Sequence, residues 1–469
     1  MNPCELCISE TLSYFANREL SRVEMIQSIM ERIGEVERLV NAFITVRDGD
    51  ALLDQAREMD ERQARGEALG RLAGIPIALK DNFATHDLRT TAGSKILADW
   101  HPDHDATVVR RLRKADAIIV GKLNMHEFAD GTTTDNPHYG RACNPWDIGR
   151  TPAGSSGGSG AALAADMCLA ATGTDTGGSI REPASFCGVV GLKPTFGLIS
   201  RSGVVPFSWS LDHVGPMGRR VDDIAVLLDV MAGFDETDPA SVQTEHARPA
   251  APLKPLKGLR IGIETTFLTT QMQESVKNAF KECGDILTGL GATIQEVSIP
   301  SARYCLDVEM VILFSEAAVV HEEWLDAAAV DYGQDVRTSL FSGRLYKATD
   351  YVKAQRMRHV IRREAESVFR SVDALLTPTM IIEPPKWETH SFAIDGVDID
   401  PLDAFIRCLT LANLLGYPAI SVPAGYSKIG LPVGMQFIGR PFAEVQLIAI
   451  ARAIEEAIPA WKRKPNLRS

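Results

Sequence analysis

The stretch that most limits what this chain can fold into runs from residue 151 to 185: TPAGSSGGSGAALAADMCLAATGTDTGGSIREPAS. Two glycine–serine loops bracket a run of small apolar residues. Glycines let a backbone turn, or approach a neighbour, where a side chain would clash. The run GAALAADMCLAATG after Ser159 predicts a small-residue helix that can pack closely against a sheet. A sheet is offered nearby. LAGIPIALK (72–80) is a short apolar run with Pro76 at its start or edge, and ADAIIVGKLN (115–124) is another. The helical ATVVRRLRKA lies between them, so strands and helices alternate as in an α/β layering.

The same alternation extends both ways. Ser21-Arg22-Val23-Glu24 is a capping box, followed by Ile26, Ile29, Met30 and Ile33 at helical spacing. Residues 51–66 read as a second, polar helix. LRIGIE and ATIQEVSIP flank a helical segment; VDALLTPT, AISVPAGY and VGMQFIGR read as strands, and VQLIAIARAIEEA as a closing amphipathic helix. RPAAPLKPLKG (248–258) is a proline-rich connector, read as a surface crossing because the α/β pattern resumes after it.

Composition enters as exclusion. A chain of 469 residues can bury a large core without disulfide or metal staples. Its net charge of −12 gives no basic surface for nucleic acid or for anionic membranes. No run reaches the length of a membrane-spanning helix, and MNPCELCISETLSYF has no basic region followed by an apolar one. A cytoplasmic protein with eight free thiols is the expectation, Cys4 and Cys7 included. His101 and His104 have no partner ligands nearby in sequence and read as loop residues.

Which residues could do chemistry? TPAGSSGGSGAA lacks the lysine of a phosphate-binding loop. Gly154, Ser156 and Gly158 spell the G-x-S-x-G of a nucleophile elbow, but NPWDIGRTPA ahead of them is polar and proline-broken, where that motif needs a strand. Lys80 ends an apolar run. Read alone it is a lysine reaching from a strand end to water; drawn into a dry site, its pKa falls and it becomes a base near neutrality.

Taken together, GIPIALKDN, NPWDIGRTPAGSSGGSGAALAA, GTDTGGSIREPASFCGVVGLKPTFGLISRSG and SLDHVGPM resemble the amidase signature family, and ANLLGYPAISVPAG and GLPVGMQFIG continue the resemblance. It implies one α/β domain over residues 1–469: a central mixed β-sheet flanked by helices, with a helical segment over about 1–60 packed on it. By position it implies a catalytic triad of Lys80, Ser155 and Ser179, with a cis peptide at Gly154–Ser155. Ser179 attacks the amide carbon, and Ser155 passes its proton to neutral Lys80. The backbone N–H groups of Thr176, Gly177, Gly178 and Ser179 face the developing oxyanion. Ser156, Asp175 and Arg181 are supporting residues, Arg181 as scaffold before substrate contact. His126, Phe207, Trp209 and His213 are candidates for the substrate pocket. The relay needs no metal or organic cofactor.

The sequence-based expectation for function is a self-sufficient hydrolase of C–N bonds in small, largely apolar amides, with carbamates, ureas and esters as further options. Phe207 and Trp209 supply an aromatic wall for such a substrate. The expected partners are a small-molecule amide, no nucleic acid and no membrane, with a homodimer left open. The alternative is the glutamine-hydrolysing component of a tRNA-dependent amidotransferase. That branch holds glutamine with an arginine and an aspartate in its C-terminal half. Arg337 is a candidate for the first, but Ile406 and Arg407 stand where the aspartate is expected, with Asp403 a turn away. A non-enzymatic assembly protein is disfavoured by the intact triad positions.

Overall fold

The computed structural model describes residues 2–244 and 256–467. Its frame is an 11-stranded mixed sheet flanked by helices. In chain order the strands are Phe43–Val46 (β1), Pro76–Lys80 (β2), Ile118–Leu123 (β3), Ala170–Asp175 (β4), Val190–Lys193 (β5), His213–Gly218 (β6), Arg260–Glu264 (β7), Thr293–Val297 (β8), Ala374–Pro378 (β9), Ala419–Tyr426 (β10) and Pro432–Gly439 (β11). Across the sheet they run β1-β3-β2-β4-β6-β5-β10-β11-β9-β7-β8. Two parallel blocks, β3-β2-β4 and β9-β7-β8, are joined by antiparallel strands. A separate two-stranded hairpin pairs Phe392–Ile394 with Val397–Ile399.

The short apolar runs become central strands because both faces of the sheet are covered. Every residue of β2, β3, β4 and β11 is buried, and such strands read as near-continuous apolar runs. Pro76 opens β2, where its missing N–H costs least. The helix Arg22–Val40 begins at the expected box: Ser21 accepts from the Glu24 N–H and the Glu24 carboxylate accepts from the Ser21 N–H.

Two readings are corrected, and a third falls mostly outside the described residues. The small-residue helix stops at Ala164, and Ala170–Asp175 is the strand β4. Alanine and glycine carry no period of their own. The chain turns at Asp166, which has positive φ and pairs with Arg219 and Lys464. The segment 1–60 is not wholly helical, because β1 lies within it and pairs antiparallel with β3 at the sheet edge. Of the proline-rich crossing, residues 248–255 lie outside the described residues.

All eight cysteines are free thiols. Burial pushes Cys7 up to about 11, which makes it a poor nucleophile. No helix among the described residues is long and apolar enough to cross a membrane.

Candidate active site

Lys80 is the last residue of β2 and is wholly buried. Its backbone N–H donates to Thr172 Oγ1 (3.1 Å), and its Nζ donates to Ser155 Oγ and to Thr174 Oγ1, both at 2.7 Å. Thr172 and Thr174 are alternate residues of β4, so both present their hydroxyls on one face. That period-2 pair was visible in GTDT, yet its role needed the neighbouring strand. Burial lowers the Lys80 pKa to about 7, against an opposing pull from Asp175, Asp212 and Glu182. The ammonium has hydroxyls around it and no carboxylate in contact among the described residues, so the neutral amine is accessible near neutrality.

Ser155 follows a cis peptide from Gly154. Its carbonyl accepts from the His126 N–H (3.1 Å). Ser156 holds the two serine loops together: its N–H donates to the Ser179 carbonyl (3.3 Å) and its hydroxyl to the Thr174 carbonyl (3.3 Å). The G-x-S-x-G elbow is absent, since no strand precedes Gly154. Ser179 sits between β4 and the helix Arg181–Cys187 and is 8% exposed. Its hydroxyl has no side-chain hydrogen bond among the described residues. The Lys80–Ser155 link is therefore made, while Ser155 and Ser179 are held near each other through backbone. Such contacts often tighten only when substrate is bound.

Asp175 organises the loop around Ser179. It accepts from the N–H groups of Gly178 (3.0 Å) and Ile180 (3.2 Å), from Arg181 Nε and Nη2 (both 2.9 Å) and from Asn413 Nδ2 (2.8 Å). Burial pushes its carboxyl up, and the Arg181 guanidinium more than reverses this, holding it well below the usual range. Arg181 spends its remaining donors on the Leu409 carbonyl (3.1 Å), Gln436 Oε1 (2.6 Å) and Asn413 Oδ1 (2.5 Å). It is scaffold, with nothing left for a substrate. Of the four N–H groups expected to face an oxyanion, that of Gly178 is committed to Asp175, while no hydrogen bond takes up those of Thr176, Gly177 and Ser179 among the described residues. Gly178 has φ +136°, a conformation that side chains avoid.

A cavity of about 190 Å³ adjoins the site, lined by Asn82, Thr174, Thr176, Phe207, Asp212 and His213 among others. Phe207 is buried in its wall, but Trp209 is 46% exposed at the rim, so the aromatic wall is half of what was expected. His213 donates from Nδ1 to the Leu211 carbonyl (2.6 Å), and burial holds its pKa far below the ordinary value. His126 is not a pocket residue: Nδ1 accepts from the Thr134 N–H (3.2 Å), which leaves Nε2–H to donate to Asp335 (2.8 Å). It clamps the loop behind Ser155. Thr174, Asn413 and Gln436 are residues around the site that sequence reasoning missed.

A buried amine–serine pair thus lies beside a second serine in a glycine-rich loop, on an α/β sheet. Residues 24–448 match the family model described as Amidase, and the chain belongs to the amidase signature family, enzymes acting on carbon–nitrogen bonds other than peptide bonds. It is 41% identical to the A-type subunit of the glutamyl-tRNA(Gln) amidotransferase of Moorella thermoacetica, over 97% of each chain. Among solved structures, it is similar to a chain of an inhibitor-bound "vestigial protein complex" described as revealing the origins of an s-triazine catabolic enzyme (TM-score 0.92, 34% identity, 96% of this chain and 98% of that one). It is also similar to the corresponding amidotransferase chain of Thermotoga maritima (TM-score 0.83, 35% identity, 100% and 99% covered).

These likenesses overturn two expectations. The self-sufficient hydrolase of apolar amides gives way, because relatives near 40% identity over the full length are A-type subunits of amidotransferases. The further option of carbamates has no support among them. The exclusion of nucleic acid fails for the same reason: one component can serve a tRNA-dependent reaction without carrying the basic surface itself. Net charge reports only on direct binding.

Proposed function

We propose that this chain is the amide-splitting component of a glutamyl-tRNA(Gln) amidotransferase assembly. It releases ammonia from the side-chain amide of glutamine, for transfer by the other subunits to a tRNA-bound acceptor in the cytoplasm. The reading rests on one observation: the Lys80–Ser155–Ser179 set stands in a chain that matches that component almost end to end.

In this reading Ser179 Oγ attacks the amide carbon. Its proton passes to Ser155, whose own proton passes to neutral Lys80. The tetrahedral oxyanion is met by N–H groups of the Thr176–Ser179 loop, where one donor is worth about 3 kcal/mol. The relay runs backward to protonate the departing ammonia. Water then enters by the same path and frees the acyl group from Ser179.

The test measures ammonia release from glutamine by the purified chain, by itself and with the other subunits and charged tRNA. Turnover should rise at least about tenfold in the assembly, as expected when partners complete a site by induced fit. Cleavage of an aryl amide by the isolated chain, with no glutamine turnover in any combination, would reject the proposal.

The relay also fixes a pH dependence. Lys80 must be neutral to accept a proton, and its pKa is lowered to about 7. The kcat/KM should therefore climb from pH 5 through about 7 and level off above it. A flat profile between pH 5 and 9, with chemistry rate-limiting, would remove Lys80 from its role.

A further inference from the structure

Helix Cys305–Val320 packs its inward face, including Cys305, Val308, Ile312, Leu313 and Ala317, into a hydrophobic cluster. Two carboxyl groups interrupt that face: Glu309, 0% exposed, and Glu316, 1% exposed. Their surroundings differ. Glu316 accepts from Ser208 Oγ (2.5 Å), the Ser210 N–H (3.0 Å) and Tyr351 OH (2.9 Å). Neither oxygen of Glu309 has a hydrogen-bond partner among the described residues. A buried acceptor left in this condition is costly, so such a group calls for an explanation.

Its position supplies one. A Cβ on Gly177 would sit 2.6 Å from Glu309 Oε1 and 3.8 Å from its Cδ. The carboxyl therefore lies against the loop that carries Ser179, two residues from it, at a glycine that is only partly buried. Glycine at 177 leaves room for the carboxyl, and the helix face delivers it there. No aspartate stands where a glutamine-type donor was expected to be held, and Asp403, a turn away, is ion-paired to Arg407, which also lies over Phe267.

We propose that Glu309 is the specificity-determining carboxyl of this site, receiving an N–H-rich group of the substrate that lies over Gly177. Building on the proposed function, that group is the α-ammonium of glutamine. The approach of a cation supplies Glu309 with the donors it lacks and holds the scissile amide in register with Ser179. Substrates without such a group leave a buried carboxyl unpaired, which is how a polar pocket rejects an analogue.

The test compares kcat/KM for glutamine with that for glutaramate, the same chain without the amino group, in the assembled enzyme. The wild type should favour glutamine by at least about tenfold, and Glu309→Leu should bring the ratio close to one, with Glu309→Gln between them. Glu309→Leu should not lower the melting temperature, because an apolar side chain suits that helix face. A ratio preserved in Glu309→Leu while both activities fall together would show a structural role and overturn the proposal; so would a wild-type ratio near one. If the wild type hydrolyses no glutamine, the function proposed above fails by itself. The same ratio is then read on butanediamide against butanamide: loss of discrimination in Glu309→Leu upholds Glu309, and unchanged discrimination overturns it.

Discussion

Replacing Ser179 by alanine should reduce kcat by about 10⁴- to 10⁶-fold while the protein stays folded. The large kinetic effect follows from removal of the attacking oxygen. The small structural effect follows from the site: the Ser179 hydroxyl makes no side-chain hydrogen bond among the described residues, and the loop is held by Asp175 and by Ser156 through main-chain groups. Ser155→Ala and Lys80→Met should each cost orders of magnitude as well. Combining either with Ser179→Ala should cost little more, because the three act as one relay. Single-turnover kinetics and circular dichroism on the same preparations decide it. Wild-type turnover in a folded Ser179→Ala protein would end the assignment of the nucleophile.

The second large effect is on stability. Arg181→Met should destabilise the protein by about 3–5 kcal/mol, because it strands Asp175 as a buried charge. Both side chains are fully buried, joined at 2.9 Å through two guanidinium nitrogens. The replacement would also leave Gln436 and Asn413 without a donor they now receive. Removing the pair together, as Asp175→Leu with Arg181→Met, should cost less than the sum of the single changes. The midpoint of urea unfolding reports this, provided the m-value is unchanged. A loss below about 1 kcal/mol for Arg181→Met would mean that Asp175 is neutralised by other groups.

What could be read from the amino acids, and what could not, divides along physical lines. β2 and β3 were legible because strands covered on both faces are short unbroken apolar runs bounded by turn residues. Lys80, Ser155 and Ser179 stood out as motif positions in long glycine-marked segments, and the structure brings Lys80 and Ser155 into contact. β4 was misread as helix because alanine-rich residues pack in either state, and only the sheet decides. β1, four residues between two helices, carries too little period to register. Asn413 and Gln436 were out of reach for another reason: Arg181, which both meet, lies 232 and 255 residues away in sequence. Glu309 was out of reach too, because an inward-facing glutamate on a helix looks like any other until its neighbours are in place.

The Arg181 hub also has a bearing on how the chain is made. Lys80, Ser155 and Ser179 leave the ribosome before the groups that fasten their loop. Leu409, Asn413 and Gln436 follow Arg181 by 228, 232 and 255 residues. β10 and β11 then insert between β5 and β9, in the interior of the sheet rather than at its edge. The loop that carries Ser179 is thus fastened across the sheet by groups from a distant stretch of the chain, so its geometry depends on β10 and β11 being in place.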